Sequence, residues 1–269
     1  MAEHGVQERP RPSRQENAQN EYAYHLQEAE GPRQAPPELD PRVFDHRVGE
    51  RENSRSAPQV ADDPALSAAR QAFAGFHERL TKIAEGESAV RADPTATDAA
   101  KLLQIADLHN APSGNSPTVR ANEARSRVRE SRHTAEGRIA NALKGQMNEA
   151  EAREVRDRVA GMTAKQREEL LQDIRQSGDV KLASALTAPS SHIAAGLDRG
   201  TYKELRRFAE NALAPEDAKR RDQLSRAEAE LNAAEERYLS TVNSWQPDPN
   251  KVAEVRAKAE ASRKARGQE

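Results

Sequence analysis

TAKQREELLQDIRQSGDVKLASALTAPSSHIAAGLDRGTYKELRRFAENALA, residues 163–214, carries the densest punctuation of the chain. Thr163 with Gln166 three residues on forms a capping-box signature, because each side chain can satisfy an unpaired amide of the first helical turn. Leu170, Leu171 and Ile174 follow at helical spacing, and Gly178 stands where such a helix would close in a left-handed turn. Asp179 then caps a short helix bearing Val180, Leu182 and Leu186, which Ala188-Pro189-Ser190 breaks. Thr201 with Glu204 is a second capping-box signature, leading into Tyr202, Leu205, Phe208, Ala212 and Leu213. Short loops between such helices fold neighbours back on one another, so this stretch reads as a small helical bundle.

Working outward toward the C-terminus, Pro215 opens a longer helix. Leu224, Leu231, Tyr238 and Trp245 recur every seven residues, with Ala227, Ala234 and Thr241 three residues after the first three. That is an a/d seam over about three heptads and makes the helix coiled-coil-like. Leu224, Leu231, Tyr238 and Trp245 are therefore the candidate protein-binding residues, with a homo-oligomer expected. The alternative is that the stripe packs within the chain. Pro247-Asp248-Pro249 ends this helix, and a helix-prone tail runs to Arg266, rich in basic residues at Arg263, Lys264 and Arg266.

Toward the N-terminus, Asp62-Asp63-Pro64 starts a helix carrying Leu66, Phe73, Phe76, Leu80 and Ile83, with Gly86 where it is expected to end. A second helix spans about Thr95 to His109, followed by a linker at 110–117. A third, more polar helix starts at Ser116-Pro117 with Val119, Val128, Ala135, Ile139 and Leu143 as a thin stripe, interrupted in composition by Gly137 and Gly145. Asn148 with Glu151 then caps a helix that runs to Gly161. Residues 1–61 hold seven of the fifteen prolines and more acidic than basic side chains, the pattern of a disordered arm. Its two apolar islands, Tyr22–Leu26 and Val43-Phe44, are accidents or docking motifs that fold on a partner. The organisation expected is an arm (1–61), an extended helical region (62–160), a compact helical domain with the heptad helix (161–246) and a basic helical tail (247–269). The fold class is all-α, since no segment sustains the two-residue alternation of a strand.

Composition supports long exposed helices with narrow seams. Leu, Ile, Val and Phe together make about 15% of the chain, charged residues make 32%, and the net charge is only −2. Alanine supplies much of the apolar content and favours helix while burying little area. The absence of cysteine excludes disulfides, thiolate metal sites and cysteine nucleophiles. No signal-peptide pattern opens the sequence and no run reaches the ~18 apolar residues of a membrane span. Cytosolic residence, or packaging into an assembly built in the cytosol, is expected, with no membrane contact.

Seven histidines are spread singly, with no pair at the i, i+4 spacing that aims two imidazoles at one ion. Gly137–Gly145 puts its lysine before the second glycine and lacks the preceding strand of a phosphate loop. Paired carboxylates in apolar surroundings and nucleophile elbows are missing. The reading is of a protein with no enzyme active site and no cofactor. One polar feature competes: Arg125, Arg129 and Arg132 share a helix face and, with Arg263, Lys264 and Arg266, could contact nucleic-acid phosphates. Glu123 and Glu130 lie among these arginines, so a salt-bridged solvated face is the plainer alternative.

The run LLQDIRQSGDVKLASALTAPSSHIAAGL, residues 170–197, resembles helical proteins of tailed bacteriophages and prophages that are often encoded among head-assembly genes. A similar Gly-Asp, Ala-Pro and Gly-Leu series appears there, at Gly178, Asp179, Ala188, Pro189, Gly196 and Leu197 in this chain. The resemblance covers about a third of the sequence, residues 163–245. Ser190, Ser191 and His192 replace the hydrophobic residues expected after the proline. What the resemblance implies is a scaffold-like or virion-associated factor whose partners are phage coat or portal subunits. A nucleic-acid-binding helical module remains the alternative.

Overall fold

The computed structural model describes residues 32–49, 63–111, 116–188 and 196–266. After a 3₁₀ turn at Pro37–Leu39 come ten α-helices among the described residues. In order they are α1 (Pro41–Val48), α2 (Pro64–Ala92), α3 (Asp98–Asn110), α4 (Pro117–Lys144) and α5 (Glu149–Ala160), then α6 (Ala164–Ser177), α7 (Val180–Thr187), α8 (Arg199–Leu213), α9 (Pro215–Trp245) and α10 (Pro249–Ala265). No strand occurs among the described residues, and the all-α class stands.

Compaction divides the chain differently from the sequence reading. One unit holds the described residues of Met1–Asp40, Phe73–Thr118 and Ala234–Glu269; the other holds those of Pro41–Ala72 and Val119–Ala233. The first unit is built on α2, whose Phe73, Phe76, Leu80 and Ile83 are fully buried, with Ile105 of α3 and Val252 and Val255 of α10. The second centres on α7, which packs against α5, α6 and, most extensively, α8. Its core joins Ile139 and Leu143 of α4 and Val159 of α5 to Ile174, Leu186 and Leu205. The compact bundle therefore begins before residue 161, because the last turns of α4 and the whole of α5 supply apolar side chains to it. Alanines fill much of both cores, which suits a sequence poor in large apolar residues: small side chains let helix axes approach and bury backbone.

Several local signals act as read. Thr163 and Gln166 make the reciprocal capping box, the Asn148 carboxamide accepts from the Glu151 amide at 2.8 Å, and Gly178 closes α6 with φ 67°. Others do not. α2 passes through Gly86 to Ala92: a Cβ at Gly86 would lie 2.7 Å from a Leu108 methyl, so this glycine admits α3 closely. α8 is capped by Asp198, whose carboxylate accepts from the Gly200 and Thr201 amides at 2.9 and 3.0 Å. With the helix starting earlier, Glu204 is free of capping and pairs with Arg175 of α6 at 2.8 Å. Val119 is exposed at 51%, outside the stripe assigned to it.

The expected arm is corrected between residues 32 and 49. Phe44 and Val48 of α1 are fully buried. Arg70 pairs with Asp45 at 2.6 Å and Arg47 with Glu230 at 3.0 Å, fixing α1 to the start of α2 and to α9. The Val43-Phe44 island thus folds onto its own chain; Pro41 at the first helical position sets the start. Tyr22–Leu26, the centre of the 110–117 linker and Ser190-Ser191-His192 lie outside the described residues.

Candidate functional site

The heptad residues of α9 are taken up inside the fold. Leu224 and Leu231 are fully buried in the second unit, together with Ala227. In the first unit, Tyr238 is nearly buried and stacks obliquely on Phe76, with ring centroids 5.0 Å apart. Burial pushes its phenol pKa up against the opposing pull of Arg79. Trp245 is half-buried beneath the Arg33 guanidinium, 5.6 Å from the ring centroid. Leu224, Leu231 and Tyr238 consequently offer no free face to a second copy.

The arginine stripe of α4 is neutralised from a distance. Arg129 Nε donates to Glu228 Oε1 at 2.5 Å and Arg132 donates to Oε2 at 2.6 Å, while Arg125 bonds Asn122. Partial burial works against the Glu228 charge. The Arg129 hydrogen bond and both arginine charges outweigh it, holding the carboxyl below the usual glutamate range. Glu123 and Glu130, the neighbours in sequence, are not the partners. The signal was present in α9: Glu228 stands four residues after Leu224 and three before Leu231, on the flank of the buried seam. Arg263, Lys264 and Arg266 are exposed at the end of α10 in the first unit, with Arg266 donating to the Ser262 hydroxyl at 3.0 Å.

Two buried carboxylates went unread. Glu87, 2% exposed, receives His109 Nε2 at 2.7 Å and Arg33 at 2.8 Å, with Arg91 at 3.5 Å. Arg33 also donates to the Trp245 carbonyl at 2.6 Å, where a helix C-terminus favours a cation. The cluster ties the segment before the 3₁₀ turn to α2, α3 and the end of α9. Burial pulls the Arg33 guanidinium pKa down, Glu87 opposes this, and Arg91 adds to it. The expected helix end at Gly86 had hidden Glu87 as a loop residue. In the second unit Glu210, 3% exposed, receives Arg206 at 2.7 Å and Arg221 at 2.6 Å. Arg206 also bonds the Tyr202 hydroxyl at 2.9 Å, which donates to the Thr187 carbonyl at 3.2 Å. Burial opposes both guanidinium charges, but the Glu210 bonds raise their pKa values overall. This network clamps the inner edge of α8 to α7 and α9.

A groove of about 660 Å³ runs over Thr81, Ala84, Ser88 and Ala89, walled by Pro32 and Ala35 of the segment that Arg33 anchors. A second cleft of about 510 Å³ separates α3 and α10 at Ala106, Asn110, Val252 and Ala253. Among the described residues no group of three or more His, Asp or Glu is placed to hold a metal ion, and no helix is long and apolar enough to cross a membrane. Comparison with known proteins finds no matching family model, no matching curated protein and no matching solved structure.

Proposed function

We propose that this chain is a non-enzymatic protein–protein interaction factor, scaffold-like or virion-associated, in a phage or prophage assembly. The observation that carries the reading is the groove on α2. Thr81, Ala84, Ser88 and Ala92 line it at steps of three and four residues, beside His77 and Glu85, and these small side chains let a helix backbone approach. Its wall is the Pro32–Ala35 segment, held in place by the buried Arg33–Glu87 pair and therefore preformed. The occupant is an apolar helix face of a coat or portal subunit. The phage context comes from the resemblance over residues 163–245.

Because the chain lacks cysteine, Ala89→Cys gives a unique labelling position. A fluorophore there should change intensity on addition of purified phage coat or portal protein, and Ala89→Arg should weaken binding at least tenfold in a pull-down. Unchanged fluorescence with both proteins would reject the groove. A doubled mass in light scattering that Ala89→Arg abolishes would assign the groove to a second copy of this chain and overturn the coat-or-portal partner.

A further inference from the structure

The structure assigns a second binding surface, for duplex DNA, to the outer face of α8. Arg199, Lys203 and Arg207 stand at i, i+4 and i+8, all exposed, and exposed Asn211 continues the same row. Among the described residues none of the three cations pairs with a carboxylate, and the three acids nearest in sequence are engaged elsewhere. Asp198 caps the helix, Glu204 pairs with Arg175, and Glu210 is buried between Arg206 and Arg221. Two successive like-charge i, i+4 pairs destabilise an isolated helix, so the row makes physical sense opposite a polyanion.

Geometry favours duplex DNA over the other polyanions. Four residues of helix rise about 6 Å, so the three cations form a row about 12 Å long, and the B-form major groove is wide enough to admit a helix. The A-form major groove is too narrow for a helix. Single strands need exposed aromatic platforms, whereas Tyr202 is nearly buried and Phe208 half-buried. The face is also rigid, because Tyr202–Thr187 and the Glu210 clamp hold α8 from behind. The surface is distinct from the α2 groove and does not depend on it.

The test is fluorescence anisotropy of the full-length protein with a labelled duplex of about 20 base pairs, two turns of B-DNA, titrated from about 50 to about 200 mM salt. Replacing Arg199, Lys203 and Arg207 together by Gln should lower affinity at least tenfold and flatten the log–log salt slope by roughly 2–3, near 0.9 per lost phosphate contact. Arg129→Gln with Arg132→Gln should leave both unchanged, and Arg199→Lys with Arg207→Lys should keep the slope. Circular dichroism melts of the Gln variant should be no lower than the parent's, as the three side chains are exposed and the substitution relieves like-charge repulsion along the row. The proposal fails if the parent protein does not bind at about 50 mM salt, or if the Gln variant binds as tightly as the parent. It also fails if the loss follows Arg263→Gln, Lys264→Gln and Arg266→Gln instead. Displacement of the duplex by polyglutamate at equal charge concentration would assign the face to acidic polypeptides and overturn it as well.

Discussion

In sequence, the stripes of α4 and α8 are the same object: three cations at helical spacing with glutamates nearby. In structure they are opposites. Arg129 and Arg132 close on one carboxylate from α9, whereas Arg199, Lys203 and Arg207 meet none among the described residues. The difference arises behind each helix. On α8 the neighbouring acids are drawn away, Glu204 to α6 and Glu210 into the core, so the outer row keeps its full charge. On α4 Glu123 and Glu130 stay in solvent, Glu136 reaches Arg132 at 3.7 Å, and a distant acid, Glu228, is carried into reach by burial of Leu224 and Leu231. A cationic row is thus a property of which acids the tertiary fold removes or delivers, more than of the row itself.

The largest effect expected comes from breaking the arrangement under α8. Glu210→Ala leaves Arg206 and Arg221 facing each other around an empty, nearly buried position. Loss of one partner of a buried pair costs about 3–5 kcal/mol, and the partial exposure of both arginines places this case near 3. Urea unfolding should show the midpoint fall with unchanged slope. A loss under about 1 kcal/mol would mean that the clamp does not hold α8.

Gly196, just before α8, is next. Its φ is 64°, and a Cβ there would sit 2.9 Å from the Ala160 Cα, a backbone atom that cannot swing aside. Gly196→Ala should therefore destabilise by about 2 kcal/mol, combining left-handed strain with overlap. A neutral result in the same urea experiment would show that the α5–α8 approach is loose.

Glu228→Gln tests the α4 side of the comparison. With Arg129 61% exposed, the ion pair is well screened, and stability should fall by less than about 1 kcal/mol. The sharper readout is the pH dependence of stability. Acid should mimic the mutation. The carboxyl pKa is depressed in the folded state, so its contribution is present above the ordinary glutamate range and lost as pH falls through the lowered folded value. Stability of Glu228→Gln should accordingly depend less on pH in that acidic window than the parent does. Identical pH profiles would break the assignment of Glu228 as the neutralising group.

What was legible from sequence follows the range of the interaction. Caps at Asn148, Thr163 and Asp179, the αL glycine at Gly178 and the apolar rows of α2 and α9 all depend on residues within a turn or two, and each is in place. The errors lie where a local sign had a distant cause. Gly86 looks like a terminator, yet it makes room for Leu108; Thr201 looks like a cap, yet Asp198 sits better placed before the helix. The Val43-Phe44 island reads as an accident or a docking motif, because the groups that hold its helix, Arg70 on Asp45 and Glu230 on Arg47, are remote in sequence. The candidate site was least legible of all. Reading Arg125, Arg129 and Arg132 as the exposed row required ignoring Glu228, 99 residues from Arg129, and the free row on α8 was hidden by the amphipathic pattern that made α8 look purely structural.

The smallest effect has the opposite sign and separates helix from surface on α4. Gly137 lies mid-helix and exposed, and a Cβ there meets nothing within 4 Å. Gly137→Ala removes the excess freedom of glycine in the unfolded chain at no steric cost, so it should stabilise by about 0.5–1 kcal/mol. Because the side chain adds no charge and touches neither Arg132 nor Glu228, duplex binding and its salt slope should stay as in the parent. A stability gain with unchanged binding would show that α4 is scaffold; a gain accompanied by altered binding would mean that the α4 face takes part after all, and the contrast with α8 would lose its basis.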